Sequence, residues 1–102
     1  MDQKSALEVA TRFAVLVGQT YGNSKAFLFG SHARGNCHAD SDIDVAVVLK
    51  DFENVLDIQL ELMRLRRKID SRIEPHPFRE NEFKESNPMV AEILKYGKEI
   101  KH

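Results

Sequence analysis

The chain has 102 residues, of which 42% are hydrophobic and 30% are charged, and this composition excludes a disordered chain. We expect a single globular domain over residues 1–102. The 15 basic and 16 acidic residues give a net charge of −1. No bulk positive field therefore draws the protein to nucleic acid or to an anionic membrane, and we expect no direct nucleic-acid partner.

The one cysteine, Cys37, cannot form an internal disulfide, and the sequence has no Cys/His spacing typical of a zinc site. The first ten residues, MDQKSALEVA, lack an apolar signal core. No run approaches the roughly 20 apolar residues of a membrane span. We therefore expect a cytoplasmic protein.

Apolar residues at helical spacing predict an amphipathic helix over residues 5–21. Ser5 and Glu8 have the form of a capping box, with Asp2 as an alternative cap for an earlier start. Gly22 predicts the end of this helix.

Three segments favour β-strands. Residues 26–29 form a short apolar run, and residues 43–49 form a longer one whose near-continuous apolarity predicts a central strand covered on both faces. Residues 71–78 are compatible with a strand at their start, but they contain Pro75 and Pro77. A strand with two prolines is expected to lie at a sheet edge or to end early.

Two further helices are predicted. The first spans residues 52–70, with a basic tract that suits its last turn. Its expected core-facing residues are Phe52, Val55, Leu56, Leu62, Leu65 and Ile69. The second begins with Asn87 as N-cap and Pro88 at the first helical position, and Val90, Ile93 and Leu94 form its expected buried stripe. This order of elements predicts an α+β (α/β two-layer) fold, a small mixed sheet of about three strands with helices packed on it.

Asp42 and Asp44 open the second strand. Residues i and i+2 of a strand point to the same face, so the two carboxylates project side by side. Their repulsion would be relieved by a divalent cation, and oxygen ligands favour Mg²⁺. The alternative is that Ser41 and Asp42 only form a turn while Asp44 faces solvent.

Gly30 and Ser31 follow the first strand. Gly30 permits a positive φ or a close approach to a ligand, and Ser31 can cap a helix that begins at His32. Such a turn offers backbone N–H groups and a hydroxyl to a phosphate, and Arg34 is placed to add a bidentate contact. Combined with the two aspartates, this arrangement suits a nucleoside triphosphate bound with Mg²⁺.

The stretch GSHARGNCHADSDIDVAVV, with the pattern G-S-x10-D-x-D, resembles the nucleotidyltransferase superfamily of DNA polymerase β-like folds. Its fuller form is similar to the smallest branch, the minimal nucleotidyltransferases (MNT). The likeness covers nearly the whole chain. It implies transfer of a nucleoside monophosphate, usually from ATP, to an acceptor hydroxyl with release of pyrophosphate.

The resemblance also implies site residues. Asp42 and Asp44 would hold two Mg²⁺ ions together with a third carboxylate, and Gly30 and Ser31 would hold the triphosphate. Arg34 belongs to the same GSxARG pattern and is a candidate phosphate contact.

The third carboxylate of the family lies on the strand after the long helix and is commonly Asp. Here the candidate is Glu74, which would bind metal and accept the proton of the attacking hydroxyl. The longer side chain and the adjacent Pro75 depart from the family pattern. Asp70 is the second candidate, and the alternative for Glu74 is a surface residue beside an edge strand.

Several residues are given no role in the site. His32, His38 and His76 are expected to be polar loop residues, and Cys37 a small filler. The basic tract at residues 64–68 is expected to be a solvated helix face.

The resemblance implies a partner. Minimal nucleotidyltransferases act beside a toxin of the HEPN family, which they are thought to neutralise by adenylylating it, commonly on tyrosine. The expected assembly is a hetero-oligomer with this toxin or a homodimer. Two alternatives stay open: an antitoxin that acts by binding and occlusion with a silent nucleotide site, and a nucleotidyltransferase for a small-molecule acceptor.

Overall fold

The computed structural model describes residues 3–35 and 41–101 and shows one mixed sheet with helices on both faces. Its elements are α1 (Gln3–Tyr21), β1 (Ser24–Phe29), α2 (Ser31–Arg34), β2 (Ile43–Leu49), α3 (Val55–Arg66), β3 (Ile73–Arg79), a 3₁₀ turn (Glu80–Glu82), α4 (Pro88–Tyr96) and β4 (Lys98–Glu99). Within the described residues, no helix has the length and apolarity needed to cross a membrane.

The strand order is β3-β2-β1-β4. β1 pairs antiparallel with both β2 and β4, and β2 pairs parallel with β3. The internal position of β2 confirms the predicted central strand, and the α+β class is confirmed. The fourth strand, which was not expected, is the two-residue β4 beside β1.

Each face of the sheet has its own apolar cluster. On one face, α1 and α3 pack over alternate residues of the strands, including Leu28, Val45 and Val47. On the other face, Ile93 of α4 packs with Phe27 and with alternate residues of β2. We call this second face the α4 face, and the candidate site lies on it.

Helix α1 begins earlier than predicted. It starts at Gln3, so Ser5 lies inside the helix and the capping box of Ser5 and Glu8 is wrong. The alternative cap, Asp2, lies outside the described residues. At the other end, Gly22 has a φ of +84°, and its N–H donates to the carbonyl oxygen of Gly18 at 2.9 Å, so the predicted stop is confirmed.

Helix α3 is shorter at both ends than predicted. Asn54 caps it, accepting the N–H of Leu56 at 2.9 Å, and this start sets which residues face the core. Ile58 and Leu62 are buried, whereas Val55 is 50% exposed and Leu56 is 70% exposed. The prediction that Val55 and Leu56 face the core is therefore wrong.

Strand β3 lies at the sheet edge, as predicted, but it continues through both prolines instead of ending early. Pro75 and Pro77 alternate with the residues that bond to β2, so their missing N–H groups fall on the outer side. The outward carbonyls have partners on α3: Arg66 donates to the oxygen of Ile73 at 2.9 Å, and Gln59 donates to that of Pro75 at 2.8 Å.

The start of α4 is confirmed. Asn87 caps it by accepting the N–H of Met89 at 2.9 Å, and Pro88 is the first helical residue. Val90 and Ile93 are fully buried, but Leu94 is exposed, so its predicted place in the stripe is wrong.

Candidate active site

Three strand ends meet at one end of the sheet. β1 runs towards this end and is followed by Gly30, whereas β2 and β3 start from it. In the sheet register, Asp44 pairs with Phe29 on one side and with Glu74 on the other. Asp42 immediately precedes β2. The residues that the sequence pattern selected are therefore brought together by strand pairing.

Gly30 has the positive φ that was predicted, +76°. A Cβ at this position would collide with Oδ2 of Asp44. The backbone of the Gly-Ser turn thus approaches one of the two aspartates directly, and only glycine fits both the conformation and the space.

Asp42, Asp44 and Glu74 form what we call the carboxylate cluster. Burial raises the pKa of the Glu74 carboxyl above its usual range, and a hydrogen bond with Asp42 raises it further. The charges of Asp42 and Asp44 act in the same direction, while His76 opposes them. The ionised forms of these acids therefore repel one another.

His76 contacts the cluster directly, and its prediction as a polar loop residue is wrong. It lies in β3, two residues after Glu74 and on the same face, and its Nε2 lies 3.1 Å from Oδ1 of Asp44. Its ring packs edge-on against Phe29, with ring centroids 5.0 Å apart. In the sequence, the only indication of this contact is that His76 lies two residues after Glu74, which places both on one face of a strand. The pairing of β2 with β3 is needed to bring that face beside Asp44.

The turn itself differs in detail from the prediction. α2 starts at Ser31, with Gly30 in the N-cap position and no side-chain cap hydrogen bond, so the prediction that Ser31 caps a helix beginning at His32 is wrong. His32 is 1% exposed instead of lying in a polar loop, because it packs under the turn with Nε2 3.1 Å from the carbonyl oxygen of Ser41. Its Nδ1 has no hydrogen-bond partner among the described residues.

A family model described as polymerase beta, nucleotidyltransferase, matches residues 19–102. The chain belongs to this nucleotidyltransferase family. No curated protein matches the chain significantly.

Three solved structures share the polymerase β-like nucleotidyltransferase fold. A candidate nucleotidyltransferase from Sulfolobus solfataricus is 29% identical with a TM-score of 0.63, over 78% of this chain and 72% of that one. A toxin–antitoxin with AMP-PNP is 22% identical with a TM-score of 0.66, and a mutant of the toxin–antitoxin MntA–HpeT is 20% identical with a TM-score of 0.65. Both alignments cover 89% of this chain and 72% of the other. The predicted fold and superfamily are confirmed.

In this nucleotidyltransferase, Arg34 connects the Gly-Ser turn to α4. Its Nη1 lies 3.3 Å from Oε1 of Glu92, and its guanidinium lies over the ring of Tyr96, 4.6 Å from the centroid. Both charged side chains of the ion pair are nearly half exposed, so the pair itself adds little stability. The guanidinium remains accessible to a ligand beside the turn.

Asp70, the second candidate for the third carboxylate, has a partner of its own. Two nitrogens of the Arg72 guanidinium donate to it, at 2.7 and 3.0 Å, and the backbone N–H of Arg72 also donates to it. The hydrogen bonds from Arg72 hold the pKa of Asp70 below its usual range. Cys37 and His38 lie outside the described residues.

The carboxylate cluster fits a divalent cation by its chemistry. Its donors are all oxygens, which Mg²⁺ prefers. Burial and then the neighbouring Asp42 and Asp44 disfavour the ionised form of Glu74, and a cation would favour that form. Among residues 3–35 and 41–101, no three His, Cys, Asp or Glu side chains form a ready-made metal cage. One oxygen of Asp44, Oδ1, is already in contact with Nε2 of His76.

Proposed function

We propose that the chain is a Mg²⁺-dependent nucleotidyltransferase that transfers AMP from ATP to a hydroxyl of a partner protein, and that this partner is a HEPN-family toxin. The observation that carries the proposal is the convergence of Asp42, Asp44 and Glu74 beside the Gly30–Ser31 turn at one end of the sheet. Adjacent acids with no Arg or Lys bonded to them among the described residues are costly unless a ligand neutralises them.

Each residue has a part in this proposal. Asp42, Asp44 and Glu74 would hold two Mg²⁺ ions, which in such sites polarise the phosphoryl oxygens and neutralise the charge that develops during displacement. The Gly30 and Ser31 turn would receive the triphosphate through its backbone N–H groups and hydroxyl.

Arg34 would contact a phosphate from the side of α4. It is an exposed guanidinium held over Tyr96, so it can reach a ligand without losing a buried partner. A planar guanidinium suits bidentate contact with phosphoryl oxygens.

The transfer itself needs a proton acceptor. The acceptor hydroxyl oxygen forms a bond to the α-phosphorus of ATP, the bond from that phosphorus to the β-phosphate bridging oxygen breaks, and pyrophosphate leaves. Glu74, the third carboxylate of the cluster, would take the hydroxyl proton.

The partner is proposed from the structural neighbours. One is a toxin–antitoxin with AMP-PNP, and the other is a toxin–antitoxin mutant with two Asp-to-Glu replacements two positions apart. That separation equals the separation of Asp42 and Asp44 in this chain. A toxin bound beside the site would supply the acceptor hydroxyl.

The test is incubation with isotopically labelled ATP and Mg²⁺, with and without the protein encoded by the adjacent gene. Intact-mass spectrometry then shows which chain gains AMP. We expect one AMP on the partner, dependent on Mg²⁺ and absent with Asp44→Asn. Glu85→Gln, an exposed substitution away from the site, serves as the matched control and is expected to leave transfer unchanged.

Two results would contradict the proposal. A tight complex that inhibits the partner without any adduct would indicate an antitoxin that acts by occlusion. Transfer to added aminoglycosides but not to the protein would indicate a small-molecule acceptor.

A further inference from the structure

Asp44 is constrained at both of its carboxylate oxygens. Oδ1 lies 3.1 Å from Nε2 of His76. Oδ2 lies against the Cα of Gly30, in the space that a Cβ would occupy. An ionised carboxylate, the form that binds a cation, only accepts hydrogen bonds, so Nε2 of His76 would donate to Oδ1. This donation fixes which oxygen faces the Gly-Ser turn.

The sheet gives His76 the room for this contact. In the register of β2 and β3, His76 lies opposite Ala46, whose small side chain is fully buried, and Asp44 lies opposite Glu74. The imidazole therefore reaches diagonally across the strands to Asp44, and its ring also packs edge-on against Phe29. Asp44 and His76 are 26% and 24% exposed, so the hydrogen bond is largely shielded from water.

We propose that His76 is a positioning residue for the cation site: by holding Oδ1 of Asp44, it keeps Oδ2 directed to the Gly30–Ser31 turn. This inference rests on the proposed function, because it gives His76 a task only if Asp44 binds a cation. Residues that hydrogen-bond metal-binding carboxylates orient them, and removing one typically weakens metal binding about 10–100-fold.

The two contacts of His76 can be separated by substitution. His76→Phe keeps a ring against Phe29 but removes the donor. His76→Gln loses the ring, yet its amide nitrogen can reach nearly the position of Nε2 and restore the donation to Asp44. Phe29→Leu is the matched control, because it removes the ring contact and leaves the donor in place.

The experiment titrates Mn²⁺ into the full-length, nucleotide-free protein and follows free Mn²⁺ by electron paramagnetic resonance. We expect His76→Phe to weaken Mn²⁺ binding about 10–100-fold and His76→Gln to recover most of the wild-type affinity. Phe29→Leu should lower Tm but leave Mn²⁺ affinity unchanged. Circular dichroism establishes that each variant is folded.

The outcomes separate this inference from the proposed function. Wild-type Mn²⁺ affinity in His76→Phe, equal losses in His76→Phe and Phe29→Leu, or no recovery in His76→Gln would each overturn the positioning role. A wild-type protein that binds no Mn²⁺, either alone or with a non-hydrolysable ATP analogue, would overturn both. Mn²⁺ binding that depends on His76, in a protein that transfers no AMP, would overturn the proposed function alone.

Discussion

Acidic residues at the two ends of the sheet differ in their hydrogen-bond partners. At the end where β2 finishes, Asp51 and Glu61 each have a donor: Nε of Arg79 lies 3.2 Å from Asp51, and the hydroxyl of Tyr21 donates to Glu61 at 2.9 Å. A cavity of about 440 Å³ opens there, with both acids among its lining residues. At the end where β2 begins, Glu74 is instead hydrogen-bonded to another acid, Asp42, while Asp44 lies beside it with His76 as its partner.

The hydrogen-bond partners of an acid indicate whether it stabilises the fold or could bind a cation, and they do so more clearly than the volume of the nearby cavity. Acids that are already hydrogen-bonded to Arg or Tyr have little to gain from a cation. Glu74, whose pKa is raised by burial and then by Asp42 and Asp44, costs stability in the metal-free protein when it ionises, and a bound cation would offset that cost. The repulsive end of the sheet is therefore the better functional candidate.

The largest expected effect compares one acid from each end. Asp44→Asn removes a cation-binding charge while conserving shape, and we expect AMP transfer to fall on the order of 10³-fold, equivalent to several kcal/mol of transition-state stabilisation. Asp51→Asn at the other end should leave transfer unchanged. Single-turnover assays on the two variants measure both rates. Equal losses of transfer rate in Asp44→Asn and Asp51→Asn would contradict the distinction between the two ends of the sheet.

The second comparison uses two glycines with positive φ. Gly22→Ala places a Cβ where nothing lies within 4 Å, so we expect only the backbone cost, about 1–2 kcal/mol. Gly30 combines a φ of +76° with a ψ of −153°, a region that essentially only glycine adopts, so Gly30→Ala should cost more than Gly22→Ala in the backbone alone. It also displaces Asp44, so it should abolish transfer. Urea unfolding and the transfer assay measure the two effects. Full activity in Gly30→Ala would show that the close approach to Asp44 is unimportant.

The third comparison predicts opposite signs for two acids near the start of β3. The pKa of Glu74 is raised above its ordinary value of 4.5, so its ionisation costs stability as pH rises through 4.5 and beyond. Glu74→Gln should therefore raise Tm of the metal-free protein at neutral pH and have no effect well below pH 4.5.

Asp70 behaves in the opposite way. Its pKa is lowered from 3.8 by the hydrogen bonds of Arg72, so its stabilisation is present above pH 3.8 and is lost as pH falls through the lowered pKa. Asp70→Asn should lower Tm at neutral pH, with the difference disappearing in acid. Thermal unfolding across pH 2–8 measures the change in Tm of both variants. If Glu74→Gln and Asp70→Asn changed Tm at neutral pH in the same direction, the different environments assigned to the two acids would be contradicted.

The smallest expected effect is at Tyr21. Burial, followed by the hydrogen bond to Glu61, raises the pKa of Tyr21 from 10.0 to about 12. The fold therefore favours the neutral phenol and loses stability as pH rises through 10.0. Tyr21→Phe should cost about 0.5 kcal/mol at neutral pH and reduce this alkaline loss. Urea unfolding at neutral and alkaline pH measures it, and an unchanged alkaline slope would contradict the assignment.

Local rules predicted much of the fold. The bounds of β2 matched the structure because its near-continuous apolarity reports burial on both faces. The start of α4 matched because Asn87 and Pro88 act within their own turn.

Features that depend on distant pairing could not be predicted. His76 gains its contact with Asp44 only through the register of β2 and β3, which the sequence does not specify. The burial of His32 depends on how the Gly-Ser turn packs on the sheet. Which residues of α3 face the core depends on where the helix begins, and therefore on Asn54 as its cap. Proximity between remote residues was therefore missed, even where each local element was predicted.

The prolines of β3 have a consequence for any protein that approaches the site. An exposed edge strand ordinarily invites another strand to pair with it. Here Pro75 and Pro77 lack outward N–H groups, and the outward carbonyls of Ile73 and Pro75 are already bonded to α3. The edge that carries Glu74 is therefore closed to β-augmentation, and an incoming chain has to recognise it through side chains.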